Sequence, residues 1–270
     1  MVDEEGELPS LRCRYHGRRF ALDGRFHSMP AFEGVEGFPS PADDLQEVPA
    51  GRYRQFLFGS AAPAMPFDDW IGPVRERMDW LPIEKFDLDP AASRSYWIDA
   101  NWALYCDNYL EGFHIPFVHP GLKDRLDWSA YETETFPYGS VQLGVAAPGE
   151  PGFDLPPGHR DRGRQIAGYY FWLFPSTMLN FYPWGLSVNL VEPHGPERTR
   201  VRFLSYVFRP KLRERGAGAG LHRVEMEDEA VVASVQRGVR SRFYDRGRYS
   251  PTQEVGVHHF HRLLARFLGS

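Results

Sequence analysis

Residues 101–120 read NWALYCDNYLEGFHIPFVHP. Glu111 and His114 stand three apart, so on a helix they project from one face. His119 follows five residues later, which on a continuous helix turns it roughly 140° round the axis, and the two rings would diverge. Pro116 resolves the conflict: it disfavours helix at Ile115 and lets the chain swing His119 back towards His114. Two neutral imidazoles and one carboxylate on one face of an iron(II) leave the opposite positions open for dioxygen and substrate. The carboxylate must come from elsewhere. Residues 224–238, VEMEDEAVVASVQRG, offer Asp228, expected to open a helical turn beside Glu225, Glu227 and Glu229.

Neither signal stands alone. Histidines five apart occur as unrelated core or surface residues, and a run such as EMEDE is ordinarily a solvated helix face.

Outward from this stretch the chain divides near residue 64. Residues 11–29 read as short strands around turns, with Asp23-Gly24 as a hairpin signal. Residues 30–49 are loop, 52–58 one further strand, and 61–67 (AAPAMPF) a linker. Beyond it, 70–78 reads as a short helix, and 96–100 as a strand leading into a helix over 102–114. Aromatic and β-branched runs at 165–174, 177–182, 186–192 and 199–209 predict an antiparallel meander. GAGAG (216–220) reads as a flexible joint before helices over 221–240 and 252–268, the second with Val257, Phe260, Leu264 and Phe267 at helical spacing. The order predicts an α+β domain with helices packed on one face of an antiparallel sheet.

Composition narrows the functional classes. Of the 270 residues 42% are hydrophobic, 25% charged and 15% aromatic, as in a globular protein with a sizeable core. A net charge of −5 gives no electrostatic reason to bind nucleic acid. No apolar run approaches the ~20 residues that cross a bilayer. The amino terminus, MVDEEGELPS, lacks the apolar core of a secretory signal. Cys13 and Cys106 are the two cysteines, so a disulfide framework is not expected and the cytoplasm is the default compartment.

The whole pattern resembles the alpha subunit of Rieske non-haem iron oxygenases. In that family an Asn-Trp opens the catalytic segment, as Asn101-Trp102 does here. An acidic residue, two positions, His, four positions and His follow, as with Glu111, His114 and His119. The distal ligand is an Asp preceded by Glu, with a Gln about eight residues on, as with Glu227-Asp228 and Gln236. Glu111 in place of the commoner Asp resembles the branch that acts on quaternary ammonium compounds. Cys13-Arg14-Tyr15-His16-Gly17 matches the second half of the Rieske cluster motif. A Rieske [2Fe–2S] centre needs two Cys/His pairs, and the family supplies the first upstream. Twelve residues precede Cys13, none of them Cys or His. Either the sequence begins late and the native protein has the missing pair, or the chain is as written and Cys13 and His16 cannot hold the cluster alone; the first is the expectation, because residues from Gly6 onward resemble the strand between two ligand hairpins. Cys106 lies inside the catalytic helix pattern and reads as a small buried hydrophobe.

The resemblance implies a partial Rieske domain over 1–64 and a helix-grip catalytic domain over 65–270. It implies a mononuclear Fe(II) on His114, His119 and Asp228, a [2Fe–2S] cluster on Cys13 and His16 if the second pair exists, and a homotrimer. In such a trimer His16 of one subunit meets Glu111 of its neighbour, and Glu111 orients His114 rather than binding iron. Asp107 and Asn108, one turn earlier, line the electron path or are ordinary polar helix residues. The implied activity is a terminal mono- or dioxygenase inserting oxygen from O2 into an aromatic or quaternary ammonium substrate. Electrons come from NAD(P)H through a separate reductase, with or without a ferredoxin. A rival from another class is a redox-inactive helix-grip ligand-binding protein. His258, His259 and His261 read as structural or interface residues, and Arg237, Arg240, Arg242, Arg246 and Arg248 as solvated surface or a dock for an acidic partner. Phe113, Tyr170, Trp172, Phe174 and Tyr182 are open between cavity wall and plain core.

Overall fold

The computed structural model describes residue 2 and residues 6–269; of the acidic amino terminus, residues 1 and 3–5 lie outside the described residues. The chain forms two compact units, Met1–Phe67 and Asp68–Ser270.

In the first unit β1 (Leu11–Arg12), β2 (Arg19–Phe20) and β3 (Phe26–Ser28) pair antiparallel in that order. Residues 6–8 carry no strand, contrary to the expectation from Gly6 onward. The Arg18 guanidinium lies 5.4, 5.3 and 5.8 Å from the rings of Phe20, Phe26 and Phe38, and 2.9 Å from Asp43. One cation thus gathers three aromatic rings in a unit with few buried apolar side chains. The single strand expected over 52–58 is a hairpin, β4 (Ala50–Tyr53) with β5 (Phe56–Gly59). The chain reverses at Arg54, which adopts φ +54 without the Gly or Asn that would have signalled the turn.

The second unit begins its regular structure with α1 (Phe67–Met78), β6 (Asp87–Leu88) and β7 (Arg94–Ile98). Three short helices follow: α2 (Trp102–Tyr109), α3 (Ile115–Val118) and α4 (Pro120–Lys123). Then come β8 (Glu132–Phe136), β9 (Gly139–Val145), β10 (Ile166–Leu173), β11 (Thr177–Tyr182), β12 (Gly185–Pro193) and β13 (Thr199–Val207), closed by α5 (Leu221–Val239) and α6 (Val255–Leu268). The strands form one antiparallel sheet in the order β6-β13-β12-β11-β10-β9-β8, with β7 also on β13. The four predicted meander strands are β10–β13. The sequence did not single out β8 and β9, because polar Ser140 and Gln142 interrupt β9 between glycines.

Strand β10 is buried on both faces, so its run IAGYYFWL cannot alternate. On one face Trp172, Met178, Val191 and Val201 pack with Tyr105, Cys106 and Leu110, with Val232 of α5 and with Val257, Phe260 and Leu263 of α6. Each large apolar side chain enclosed there contributes about 1.5–3 kcal/mol. On the other face Tyr169 meets Arg77 of α1 and donates to Asp161. The helix-side face also carries a polar row set by register: Gln142, Tyr170, Asn180, Ser187 and Ser205 lie directly opposite one another across β9 to β13. This row floors a cleft between sheet and helices. Among the described residues no helix is long and apolar enough to cross a membrane.

Three local expectations change around the cleft. The helix expected over 102–114 stops at Tyr109. Gly112 follows, where a Cβ would come within 2.6 Å of the Tyr131 ring, so only glycine permits that approach. Pro116 does not break a helix; it opens the single turn α3, where its missing N–H costs no hydrogen bond. GAGAG is not a free joint. Gly216–Gly218 is a buried turn, and a Cβ on Gly218 would strike Trp184 Nε1 at 2.2 Å.

Candidate metal centre

His114 precedes α3 and His119 ends it, so one turn of helix spaces the two imidazoles, with ring centres 5.1 Å apart. Asp228 lies two turns into α5 rather than opening a turn as expected. His114, His119 and Asp228 offer donor atoms that all lie within 4.8 Å of one another. Asp228 Oδ1 is 3.0 Å from His119 Nε2 and 3.5 Å from His114 Nε2. Ligands held about 2.1 Å from an ion at about 90° sit about 3.0 Å apart, and the two Asp228–histidine distances approach that spacing, so these residues could hold a single metal ion.

Both imidazoles are fixed from behind. Glu111 Oε1 lies 2.6 Å from His114 Nδ1, and its other oxygen accepts from the backbone N–H groups of Phe113 and His114. Glu227 Oε2 lies 2.8 Å from His119 Nδ1, and Glu227 also pairs with Arg223. A carboxylate on each Nδ1 selects the tautomer whose Nε2 lone pair faces the centre. Asn108 Nδ2 donates to Asp228 Oδ1 at 2.7 Å. Burial alone would lower the basicity of His119, which is 1% exposed, but Asp228 and Glu227 outweigh it and its pKa is raised.

The cleft around the donors has a volume of about 110 Å³. Tyr109, Tyr131, Tyr170, Tyr182 and Phe203 form much of its wall. Glu225, one turn before Asp228 on α5, is 4% exposed, and its two oxygens accept from the Tyr105 hydroxyl at 3.0 and 2.9 Å. Burial first, then the charge of Asp228, pushes its carboxyl well above the usual range.

The other candidates fall elsewhere. Asp107 is not in the cleft wall; its Oδ1 lies 2.9 Å from His261 Nε2 of α6. His261 Nδ1 meets Tyr249, and His259 Nε2 meets the Phe136 carbonyl. Gln236 accepts from the backbone N–H of Asn101, whose side chain caps α2. Of the open aromatics, Tyr170 and Tyr182 line the cleft, Trp172 lies in the core, Phe174 stacks on Phe267 and Phe113 is exposed. Cys106 is fully buried, which pushes its thiol pKa up. The sequence reading missed Tyr105, Glu225, Gln142, Asn180, Ser187 and Asn189 as parts of the cleft. Polar residues interrupting otherwise apolar strands were the available signal.

Cys13 and His16 sit in the turn between β1 and β2, closed by the Gly17 N–H to Cys13 carbonyl bond at 3.1 Å. The N–H groups of Tyr15 and His16 point at the Cys13 sulfur and lower its pKa. The turn is thus shaped for a thiolate. The sequence's other cysteine is Cys106, so these residues supply half of a Rieske ligand set and do not by themselves fit the cluster.

An antiparallel sheet that holds such a donor set beneath its helices is the architecture of an oxygenase alpha-subunit catalytic domain. The family model described as the ring hydroxylating alpha subunit (catalytic domain) matches residues 78–270, and the chain belongs to that family. It is 32% identical to a chloroplastic choline monooxygenase of Arabidopsis thaliana over 98% of this chain and 64% of that protein. It is equally 32% identical to the carnitine monooxygenase oxygenase subunit of Escherichia coli K12, over 98% of this chain and 74% of that one. The chain therefore spans just under two-thirds of the Arabidopsis relative's length. A crystal structure of a quaternary ammonium Rieske monooxygenase superposes with a TM-score of 0.75 at 25% identity, covering 99% of this chain and 74% of the other. Naphthalene 1,2-dioxygenase from Rhodococcus shares the fold, with a TM-score of 0.69 at 20% identity over 99% of this chain and 77% of that one.

Proposed function

We propose that this chain is a terminal oxygenase component that inserts oxygen from O2 into a quaternary ammonium compound, with iron(II) held by His114, His119 and Asp228. The observation that carries the reading is the convergence of three donor atoms within 4.8 Å, each imidazole backed by a carboxylate. Bound there, iron(II) would supply the activation of dioxygen. The chain's own groups do the rest. Glu111 and Glu227 hold the Nδ1 protons of His114 and His119, so both Nε2 atoms stay available. Asn108 keeps the Asp228 carboxylate turned to the same point. The tyrosines of the wall give the cleft an aromatic lining beside the donors.

The substrate class rests on the relatives, which are named for choline and carnitine, and on Glu111 in place of the commoner Asp. Electron delivery is assigned to a reductase drawing on NAD(P)H, with or without a ferredoxin. The solved quaternary ammonium monooxygenase is described with inter-subunit electron transfer, and we extend that arrangement, with a trimer and Glu111 as the bridge, to this chain. Cys13 and His16 could supply one Cys/His pair of a [2Fe–2S] cluster. The cleft itself would also serve a second reading, a redox-inactive ligand-binding protein of the same fold.

Iron content separates them. After anaerobic loading, wild type should hold about one iron per chain, as a single facial site requires, and His114→Ala and Asp228→Ala almost none. Unchanged iron in both variants would overturn the oxygenase reading.

A further inference from the structure

Glu225 is a buried carboxylate with no cation. Its neighbours are Tyr105, which donates to it, and two further carboxylates, Asp228 and Glu229. Among the described residues no Lys, Arg or His forms an ion pair with it. Burying an acid without a counter-charge is costly. Holding Tyr105 in place does not explain the choice, because the amide oxygen of a glutamine accepts the same hydrogen bond without a charge.

Geometry aims Glu225 at the cleft. It stands three residues before Asp228 on α5, so the two side chains leave one helical face with Cβ atoms about 5–6 Å apart. Three carboxylates line the cleft, Glu111, Glu225 and Asp228. Glu111 faces His114 and Asp228 faces His119, so Glu225 is the one of the three with no cationic or imidazole partner among the described residues. Glu227, behind His119, already has Arg223. The cleft that Glu225 lines also has an aromatic wall. Tyr131 and Tyr170 lie face to face with ring centres 6.4 Å apart, and Tyr182 meets Tyr170 edge-on at 5.8 Å. A carboxylate and aromatic faces lining one cleft suit an onium group, which attracts aromatic faces and cannot donate a conventional hydrogen bond.

We propose that Glu225, positioned by Tyr105, is the recognition residue for the onium head of the substrate and decides cation over neutral isostere. The inference rests on the quaternary ammonium reading above and adds the residue that enforces it. When the cleft is empty, burial favours the neutral acid; an onium ion restores the ionised form and repays its desolvation.

The test uses the iron-loaded 270-residue chain under anaerobic conditions, with calorimetric titration of two probes. One is choline; the other is its neutral carbon isostere, with tert-butyl in place of trimethylammonium. Wild type should prefer choline by about tenfold or more, the scale of a desolvated cation–π and charge contact. Glu225→Gln should lose that preference while keeping its iron and its affinity for the neutral probe. Glu225→Met repeats the readout if the glutamine variant does not fold. A preference that survives in the variants overturns this inference alone. A wild type that does not prefer choline overturns the substrate class and this inference with it. Loss of both probes in both variants makes Glu225 a structural residue, which also overturns it.

Discussion

The turn carrying Cys13 and His16 and the cleft carrying His114, His119 and Asp228 begin from the same kind of signal, a short motif with family spacing. In the turn, everything that shapes the motif is local. Two backbone N–H groups face the sulfur, and Gly17 closes the loop at φ +76. A preformed local loop still cannot provide four ligands from two. In the cleft, the local motif supplies two donors, and the third comes from a helix more than a hundred residues later, held by a core that runs from α2 to α6. Local geometry prepares a ligand; tertiary packing completes a site.

The comparison breaks most sharply on metal content. His114→Ala combined with His119→Ala should abolish iron binding, whereas Cys13→Ala should leave it unchanged, and anaerobic reconstitution with iron and sulfide should give no Rieske-type visible absorption. Absorption of that type from this chain would show that the turn finds partners the sequence does not display. Next in size, Phe260→Ala touches no ligand but removes a ring packed between Trp102 and Trp172. It should cost about 3–5 kcal/mol in denaturant unfolding. Arg18→Met, in the first unit, should leave iron content unaltered. Glu227→Gln sharpens the comparison within the cleft. Losing the carboxylate behind His119 should weaken iron binding about 10–100-fold in competition with a chelator, with the fold intact by circular dichroism.

The smallest effect is a pH dependence. Asp107 first raises the pKa of His261, against the opposing effect of burial. A raised histidine pKa means that the charged pair stabilises the fold fully below the unfolded value near 6.5, and that this is lost as pH rises through the higher folded value. Asp107→Asn should therefore lower the melting temperature at about pH 5.5 and leave it nearly unchanged at about pH 9. An equal drop at both would assign Asp107 a role independent of the charge on His261.

Much of this was legible from residues. The strand runs of β10 to β13 read correctly because β-branched and aromatic residues fill them, and α6 because its apolar stripe recurs at helical spacing. The end of α2 was not legible: nothing in DNYLEGFH says that Gly112 must fit under the Tyr131 ring, since Tyr131 comes from beyond α4. The hairpin at Arg54 was hidden because a non-glycine residue takes the left-handed turn. Glu225 was passed over as one acid among several, because burial is a property of what packs against a helix and not of the helix itself.

By itself the sequence determined the family, the strands β10 to β13 with the two long helices after them, and which two histidines and which aspartate to look for. Each of these is written in spacing and side-chain type along one stretch of chain. Only the tertiary structure decided that Nε2 of both rings and Oδ1 of Asp228 meet, that Glu227 stands behind His119, and that Glu225 is sealed beside Tyr105. Those facts depend on register across five strands and on where α5 crosses the sheet, and distance through space is not encoded in distance along the chain.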